Sequence, residues 1–299
     1  MTTIIDGAQI AADIRHRLQQ RLKALVCVTG KRPCLATITV GKRPSSVSYV
    51  RRQRAVCSSV DVDFEEVSLP EHTRQEELVA EISRLNGEAR ISGILLQLPL
   101  PEHLDQRTAQ SYILPHKDVE GVHPMNIGAL VSDDRPPLTA PCTALAVMEC
   151  LRWTKVELSG KEIVIVGHSA IVGKPVLLML LASATAAPTP TICHIATRHL
   201  ERHVKRADVL IVAAGRPGLI TGSMVKDGVV VIDVGINRVS ESGHPEGGKI
   251  VGDVRFDEVA VRASHITPVP GGVGVVTCMM LMRNTINLFA LQHHQAVER

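Results

Sequence analysis

The chain has 299 residues, enough for two domains that each bury a core. Hydrophobic residues make up 45% and charged residues 21% of it, which is typical of a soluble globular protein. The 33 basic and 30 acidic residues leave a formal charge of only +3, which argues against nucleic acid or an anionic membrane as a partner.

Targeting and metal signals are not recognisable in the sequence. The N-terminal residues favour the start of an amphipathic helix rather than a signal peptide. We find no uninterrupted apolar run of the roughly 18 residues that cross a bilayer. The 7 cysteines form no CxxC pair and no zinc-type spacing, so we expect reduced, buried thiols and no metal site. A cytoplasmic protein is expected.

Strand and helix patterns alternate in the first half of the chain. Strands are predicted at 33–41, 63–69 and 91–101. One helix follows Pro44, and another follows Thr73, whose hydroxyl is predicted to cap it with Glu76 as its partner. Apolar strands separated by helices predict a parallel sheet that is buried on both faces.

A second strand–helix series follows a proline-punctuated helix at 137–153. Its strands are predicted at 161–167, 189–195, 207–215 and 228–235, and a last helix from about Val276 returns to the first domain. The predicted domains are therefore 1–140 with 276–299, and 141–275.

A glycine-rich turn joins the first strand of this second series to a helix. Gly167 permits the tight turn and Gly173 permits close packing, while the free N–H groups of the helix start suit an anion. The spacing GxSxxxGxP is a weak fingerprint, because an ordinary strand–turn–helix junction produces it too. Later strands that also end in Gly or Ala favour a dinucleotide site.

The sequence leaves the choice between NAD and NADP open. A NAD site typically has an acidic residue about 20 residues after the first glycine, to bind the ribose 2′-hydroxyl. Here that region reads CHIATR, from Cys193 to Arg198, without a carboxylate. An NADP site needs cations and hydroxyls, for which His168, Thr197 and Arg198 are the nearby candidates.

Polar residues at three places in the first domain are candidate site residues. Tyr49 and Gln53 are four residues apart and share a helix face, and Tyr49 either stacks on a planar ligand or packs at a domain seam. Gln97 ends an apolar strand, so its amide is either satisfied structurally or presented to a site. Asp118 and Glu120 lie in a loop, where solvated charge is the default interpretation.

The segment ITPVPGGVG, 266–274, is apolar and stiff, unlike a flexible surface loop. Its prolines fix φ, and its glycines remove the Cβ where the backbone turns or lies against a ligand. We interpret it as one wall of a binding cleft; the alternative is a buried proline–glycine turn.

Together these segments resemble the methylenetetrahydrofolate dehydrogenase/cyclohydrolase family over essentially the whole chain. The motifs are, in order, YVRRQ (49–53), QLPLP (97–101), DVEGVHP (118–124), PCT (141–143), GHSAIVGKP (167–175), DVGIN (233–237), GDV (252–254) and TPVPGGVG (267–274). The resemblance implies an α/β fold with an N-terminal αβ domain, a C-terminal Rossmann-type NAD(P)-binding domain and a cleft between them. It also implies a homodimer that oxidises 5,10-methylenetetrahydrofolate with NAD or NADP and hydrolyses the methenyl product.

The resemblance also implies roles for individual residues. Tyr49 would stack on the folate ring, Gln97 would support position 53, and the loop 270–274 would line the folate pocket. The implied catalytic residues are Tyr49, Gln53, Gln97 and Glu120. The implied substrate-binding residues are Tyr49, Gln97, Leu98, Pro99, Pro270, Gly271, Gly272, Val273, Gly274 and Val275. The implied cofactor-binding residues are Gly167, His168, Ser169, Ile171, Gly173, Ile195, Thr197 and Ile236.

The departures from the family pattern fall in the site itself. Gln53 stands where the family has its catalytic lysine, Glu120 where it has aspartate, and Val275 where it has proline. Ala144 and Ala146 replace a proline and a glycine of the family's PCTPxG. In the cofactor half, His168 replaces a common arginine and Ile195 a common serine.

Three functions follow from these departures. Gln53 does not titrate, so the first hypothesis is a dehydrogenase with weak or absent cyclohydrolase activity. The second is an oxidoreductase for another C–N substrate, an imine or amine, because Glu120 and Val275 alter the pocket. The third is a non-catalytic homologue that binds dinucleotide or folate.

Overall fold

A computed structural model describes residues 2–41, 44–132, 137–182, 187–239 and 248–297, without the side chains of residues 44–48. The strands, numbered along the chain, are β1 Thr3–Ile4, β2 Cys34–Val40, β3 Asp63–Leu69, β4 Gly93–Leu96, β5 Glu162–Val166, β6 Thr189–Cys193, β7 Val209–Val212, β8 Val230–Asp233, β9 Asn237–Val239, β10 Lys249–Val251 and β11 His265–Ile266. The α-helices are α1 Gly7–Thr29, α2 Pro44–Ser59, α3 Gln75–Gly87, α4 Gln106–Tyr112, α5 Pro124–Ala129, α6 Cys142–Trp153, α7 Gly173–Leu181, α8 Leu200–Arg206, α9 Phe256–Ala260 and α10 Val273–Gln292. The fold is the predicted two-part α/β architecture.

The chain divides into two compact units. Unit 1 comprises Met1–Ala12 and Thr143–Thr277, and unit 2 comprises Asp13–Cys142 and Cys278–Arg299. This differs from the predicted domains at the N-terminus, where residues 1–12 belong with the second series. The physical reason is pairing: β1 lies parallel to β11, and the Ile5 N–H donates to the Ile266 carbonyl at 2.8 Å. A strand of two residues is too short to leave a periodic signal.

Unit 2 contains a parallel three-stranded sheet in the order β3-β2-β4. All of β2 is buried, as its continuous apolar sequence predicts. The helix α3 packs its buried residues Leu78, Ile82 and Leu85, spaced as one helix face, into the same core.

Two predictions in unit 2 need correction. The helix α3 is capped at Arg74 rather than Thr73, because the Glu77 carboxylate accepts the Arg74 N–H at 2.9 Å. The predicted strand 91–101 is regular only over Gly93–Leu96. Its remaining residues include prolines, which have no N–H to donate to a ladder.

Unit 1 contains a six-stranded sheet in the order β1-β11-β8-β7-β5-β6. Every neighbouring pair is parallel, so the carboxyl ends of these strands meet at one edge. The order changes direction around β5, since β6 follows on one side of it and β7 on the other. Open parallel sheets bind ligands at this kind of position. A short antiparallel hairpin, β9–β10, was not predicted.

The last helix begins at Val273, slightly before the predicted Val276, and residues 298–299 of that prediction lie outside the described residues. Among the described residues, α10 alone is long and apolar enough to cross a membrane by length and composition, and most of it is buried in the protein. It contains Arg283, Asn284 and Thr285, so it is not an uninterrupted apolar run. None of the 7 cysteines forms a disulfide, and Cys27 is exposed rather than buried.

Candidate active site

A chain of side-chain amides connects three elements of unit 2. Gln53 of α2 is buried, with 4% of its surface exposed. Its Oε1 accepts from the Thr37 hydroxyl of β2 at 3.2 Å, and its Nε2 donates to Gln97 Oε1 at 3.2 Å. Gln97 Nε2 in turn donates to the Leu98 carbonyl at 2.8 Å. The predicted pair Gln53 and Gln97 is therefore in direct contact, through groups that do not titrate.

The end of β4 presents the other residues of the QLPLP motif. The Gln97 N–H donates to the Ile38 carbonyl at 2.9 Å, which continues the pairing with β2 one residue beyond the strand. Leu98 packs against the core of unit 2, and Pro99 is exposed. Within the motif, Pro99 therefore offers more surface to a ligand than Leu98.

The loop after β4 is organised by a buried carboxylate. Asp118 is 2% exposed and accepts from the backbone N–H of Gly121 at 3.0 Å and of His123 at 2.8 Å. It also accepts from Asn126 Nδ2 at 3.0 Å. The default interpretation of a solvated charge is wrong for this residue. The spacing of Asp118 to Gly121, typical of a side chain that closes its own turn, could have indicated this.

The pKa values of Glu120 and Tyr49 are both raised, and burial is the main cause for each. Burial, together with the charge of Asp118, raises the pKa of Glu120 to about 8. Burial also raises the pKa of Asp118, but its three hydrogen-bond donors favour the ionised form. Glu120 is therefore the member of the pair that keeps its proton at neutral pH. Burial of the Tyr49 hydroxyl, and then nearby Cys278 and Glu120, raises the pKa of Tyr49, although 40% of the residue surface is exposed.

Replacing Glu120 by glutamine is expected to change how stability depends on pH. The unfolded chain releases this proton near its ordinary pKa of 4.5, and the folded chain only near 8, so wild-type stability falls as pH rises between these values. Glu120→Gln removes that contribution. Urea unfolding should therefore show little difference between the two proteins at pH 5 and a growing advantage for Glu120→Gln towards pH 8. A difference that stays constant with pH would contradict this.

The carboxyl end of β5 carries the glycine turn in unit 1. Gly167 has φ +126°, and a Cβ there would lie 2.1 Å from the Ala213 carbonyl oxygen. A Cβ on Gly173 would lie 1.9 Å from the Gly167 carbonyl oxygen. Ser169 Oγ accepts from the Val172 N–H at 3.1 Å and so shapes the start of α7. Both glycines are therefore required for close packing of backbone on backbone at this turn. A tight turn of this kind before a helix N-terminus is the backbone cradle that suits a pyrophosphate in dinucleotide sites.

The loops that follow β5 and β6 meet through two imidazoles. The His168 and His194 rings lie edge to face with centroids 4.8 Å apart. Ile171 and Ile195 are more than half exposed nearby in sequence. The Thr197 hydroxyl accepts from the His194 N–H at 3.0 Å, so it shapes the loop after β6. Of the candidate polar groups, His168 and Arg198 remain exposed.

Two aspartates that received no role in the sequence analysis lock the neighbouring loops. Asp253 accepts from three successive backbone N–H groups, of residues 214–216, at 2.6–2.9 Å and from Asn237 Nδ2 at 2.8 Å. Asp233 accepts from the N–H groups of Gly235, Asp253 and Val254 at 2.9–3.1 Å. Burial nevertheless raises the pKa of Asp233 to about 6. The motifs DVGIN and GDV are therefore hydrogen-bonded to each other. Between these bonded residues, the side chain of Ile236 is 66% exposed.

The proline–glycine loop packs against the start of α1 within unit 1. The Gly7 N–H donates to the Gly271 carbonyl at 3.0 Å, and Gly271 has φ +107°. Gly272 and Val273 are buried, whereas Pro270, Gly274 and Val275 are exposed. A Cβ on Gly274 would lie 3.7 Å from Ile236 Cδ1, so predicted substrate and cofactor residues are neighbours here.

Neither a metal-ligand cluster among the described residues nor the groove along β3 involves these groups. Among the described residues, no three His, Cys, Asp or Glu side chains are placed to hold a metal ion. A groove of about 590 Å³ along β3 contains none of the predicted site residues. Its charges pair with one another, as in Arg54–Glu66 at 2.8 Å and Arg32–Asp63 at 3.3 Å.

Comparisons with known proteins agree with this architecture. Residues 5–120 match the tetrahydrofolate dehydrogenase/cyclohydrolase catalytic domain, and residues 141–293 match the NAD(P)-binding domain of the same family. The chain is 47% identical over 286 residues to "Bifunctional protein FolD 2" of Geobacter sulfurreducens, covering 96% of each chain.

Two solved structures are similar over almost their whole length. The bifunctional FolD of Campylobacter jejuni has a TM-score of 0.89 and 42% identity, covering 96% of this chain and 98% of that one. FolD of Trypanosoma brucei, in complex with NADP cofactor and inhibitor, has a TM-score of 0.91 and 41% identity, covering 97% and 98%. The protein belongs to the tetrahydrofolate dehydrogenase/cyclohydrolase family.

Proposed function

We propose that this protein oxidises 5,10-methylenetetrahydrofolate to the 5,10-methenyl form with NADP or NAD, and that it hydrolyses the methenyl product weakly or not at all. The observation that carries the second half is Gln53, a buried amide hydrogen-bonded to Thr37 and Gln97. The bifunctional relatives support the first half.

The two reactions differ in whether the protein has to transfer protons. In the oxidation a C–H bond of the methylene carbon breaks, the nitrogen lone pair forms a C=N bond, and the hydride passes to the nicotinamide ring of NAD(P), which supplies the oxidant. No proton is exchanged, so the residues of the site need only bind and orient.

Hydrolysis requires proton transfer as well. Water adds to the methenyl carbon and loses one proton. The remaining hydroxyl then loses its proton as the C=O bond forms, while the ring nitrogen accepts a proton as its C–N bond breaks, so one proton is released overall. A lysine of lowered pKa can move these protons, but an amide cannot. In this proposal Tyr49 stacks on the folate ring, Gln97 supports the side chain at position 53, and Glu120 is a catalytic residue that contacts the substrate.

The cofactor assignment rests on unit 1. The backbone cradle at Gly167 and Gly173 fits a pyrophosphate, and the exposed Ile236 borders the loop Pro270–Gly274. Unit 2 would hold folate and the catalytic groups. In line with the sequence analysis, we also propose a homodimer in the cytoplasm.

Two assays on the purified protein test the proposal. We expect absorbance of reduced nicotinamide to appear with methylenetetrahydrofolate and NADP or NAD, and loss of methenyltetrahydrofolate to stay near its uncatalysed rate. Robust methenyl hydrolysis would refute the proposal that cyclohydrolase activity is weak or absent. Turnover only with other imines or amines would indicate a changed substrate, and dinucleotide binding without turnover would indicate a silent homologue.

A further inference from the structure

A buried asparagine on α10 joins two segments of unit 2. Asn284 is 2% exposed, and its Nδ2 donates to the Val119 carbonyl at 2.8 Å and to the Ala140 carbonyl at 3.1 Å. The same atom lies 3.5 Å from Cys142 Sγ, whose thiol donates to the Val119 carbonyl at 3.3 Å. One side chain therefore ties the loop after β4 to the segment that leads into α6.

These bonds surround the backbone of Glu120. Val119 precedes it and is fully buried, while Gly121 follows it with φ +69°. A Cβ on Gly121 would lie 2.2 Å from the Ala140 carbonyl carbon, so the two segments touch through their backbones. Asn284 bonds the carbonyls on both sides of that contact. A shift of either segment would move the Glu120 carboxyl.

We propose that Asn284 is a positioning residue for Glu120, and through it for the folate substrate. The side chain of Asn284 is buried, and its amide nitrogen donates to backbone carbonyls. Its role is therefore to hold the loop and not to touch the substrate. The substrate part of this inference rests on the proposed function; the positioning of Glu120 does not.

The kinetic test uses Asn284→Ala in the full-length protein. We expect its KM for methylenetetrahydrofolate to rise by about 10- to 100-fold, because small displacements of a binding group have effects of this size. Its KM for NADP or NAD should not change. A purely structural role would instead reduce the fraction of active protein, which lowers kcat and leaves both KM values as they are.

A second readout does not depend on folate. In the wild type, NMR titration of ¹³C-labelled glutamate carboxyls, assigned with Glu120→Gln, should show one group with a strongly raised pKa. Titratable neighbours of Glu120 are Asp118, Tyr49 and Cys142. In Asn284→Ala the loosened loop admits water, so the pKa of Glu120 should move towards the ordinary pKa of glutamate. This outcome is informative even if the wild type does not oxidise methylenetetrahydrofolate, which would refute the proposed function alone.

Thr285→Val is the matched control. Thr285 is the next residue of α10, is fully buried, and donates its hydroxyl only within the helix, to the Leu281 carbonyl at 2.9 Å. Its folate KM and its Glu120 titration should equal those of the wild type. If Asn284→Ala does not fold, Asn284→Ser keeps one donor and should show smaller changes of the same kind. Folded Asn284 variants with an unchanged folate KM and an unchanged Glu120 titration would overturn the proposal.

Discussion

Replacing Gln53 by lysine is expected to raise the rate of methenyltetrahydrofolate hydrolysis by about 10²- to 10⁴-fold, the usual contribution of one positioned acid–base group. The surroundings suit a lysine, because the Thr37 oxygen and Gln97 Oε1, which now contact the Gln53 amide, are both able to accept from its amine. Burial of this position lowers the pKa of a lysine there, which leaves part of it uncharged at neutral pH. A coupled assay that follows the loss of methenyltetrahydrofolate measures the gain, and the dehydrogenase rate should be retained.

Gln53→Met is the control for this experiment, because methionine has a similar length but no titratable group. We expect it to leave hydrolysis at the wild-type level. An equal gain in both variants would show that side-chain shape, and not proton transfer, limits hydrolysis. Absence of a gain in a folded Gln53→Lys protein would direct attention to Glu120 and Val275, the other departures from the family pattern.

Replacing Gly167 by alanine is expected to lower the free energy of unfolding by about 3 kcal/mol or more, and to abolish dinucleotide binding. The residue has φ +126°, which disfavours any Cβ, and the added atom would lie 2.1 Å from the Ala213 carbonyl oxygen. Relief would require the ends of β5 and β7 to separate at the edge of the sheet where the cradle lies. Urea denaturation gives the change in stability, and titration calorimetry with NADP and NAD gives the loss of binding.

Gly160→Ala separates the effect of a positive φ from the effect of the close contact with Ala213. Gly160 also has a positive φ, +67°, but a Cβ there would meet no atom within 4 Å. Its substitution should cost only about 1–2 kcal/mol from backbone strain and should leave dinucleotide affinity unchanged. If Gly167→Ala were no less stable than Gly160→Ala, the close contact with Ala213 would not determine the effect.

Local signals predicted most of the regular structure. The strand expected at 33–41 is found at Cys34–Val40, and the one expected at 161–167 at Glu162–Val166. Both are buried parallel strands, whose unbroken apolar runs are visible without the fold. The two-residue strands β1 and β11 and the hairpin β9–β10 were missed, because such short pairings depend on partners that are distant in sequence.

The candidate site residues were chosen from the sequence, whereas the hydrogen bonds between them are seen only in the structure. The spacing of Tyr49 and Gln53 and the unusual polar Gln97 were visible in the sequence. That Gln53 donates to Gln97 depends on the parallel register of β2 with β4, which places the end of β4 beside Thr37. Asp118 shows the opposite case: the sequence suggests a solvated loop charge, yet backbone N–H groups that converge only after folding donate to its carboxylate.

The α/β architecture, the glycine turn at Gly167 and the lack of a titratable group at position 53 can be read from the amino-acid order alone, because each is a property of residue type and short-range order. Three features are visible only in the folded chain: residues 1–12 join unit 1, the pKa of Glu120 is raised to about 8, and Asn284 donates a hydrogen bond to the loop around Glu120. These depend on burial and on hydrogen bonds between residues more than 100 positions apart, as in Val119 with Asn284. Such contacts are set by packing, which no local pattern encodes.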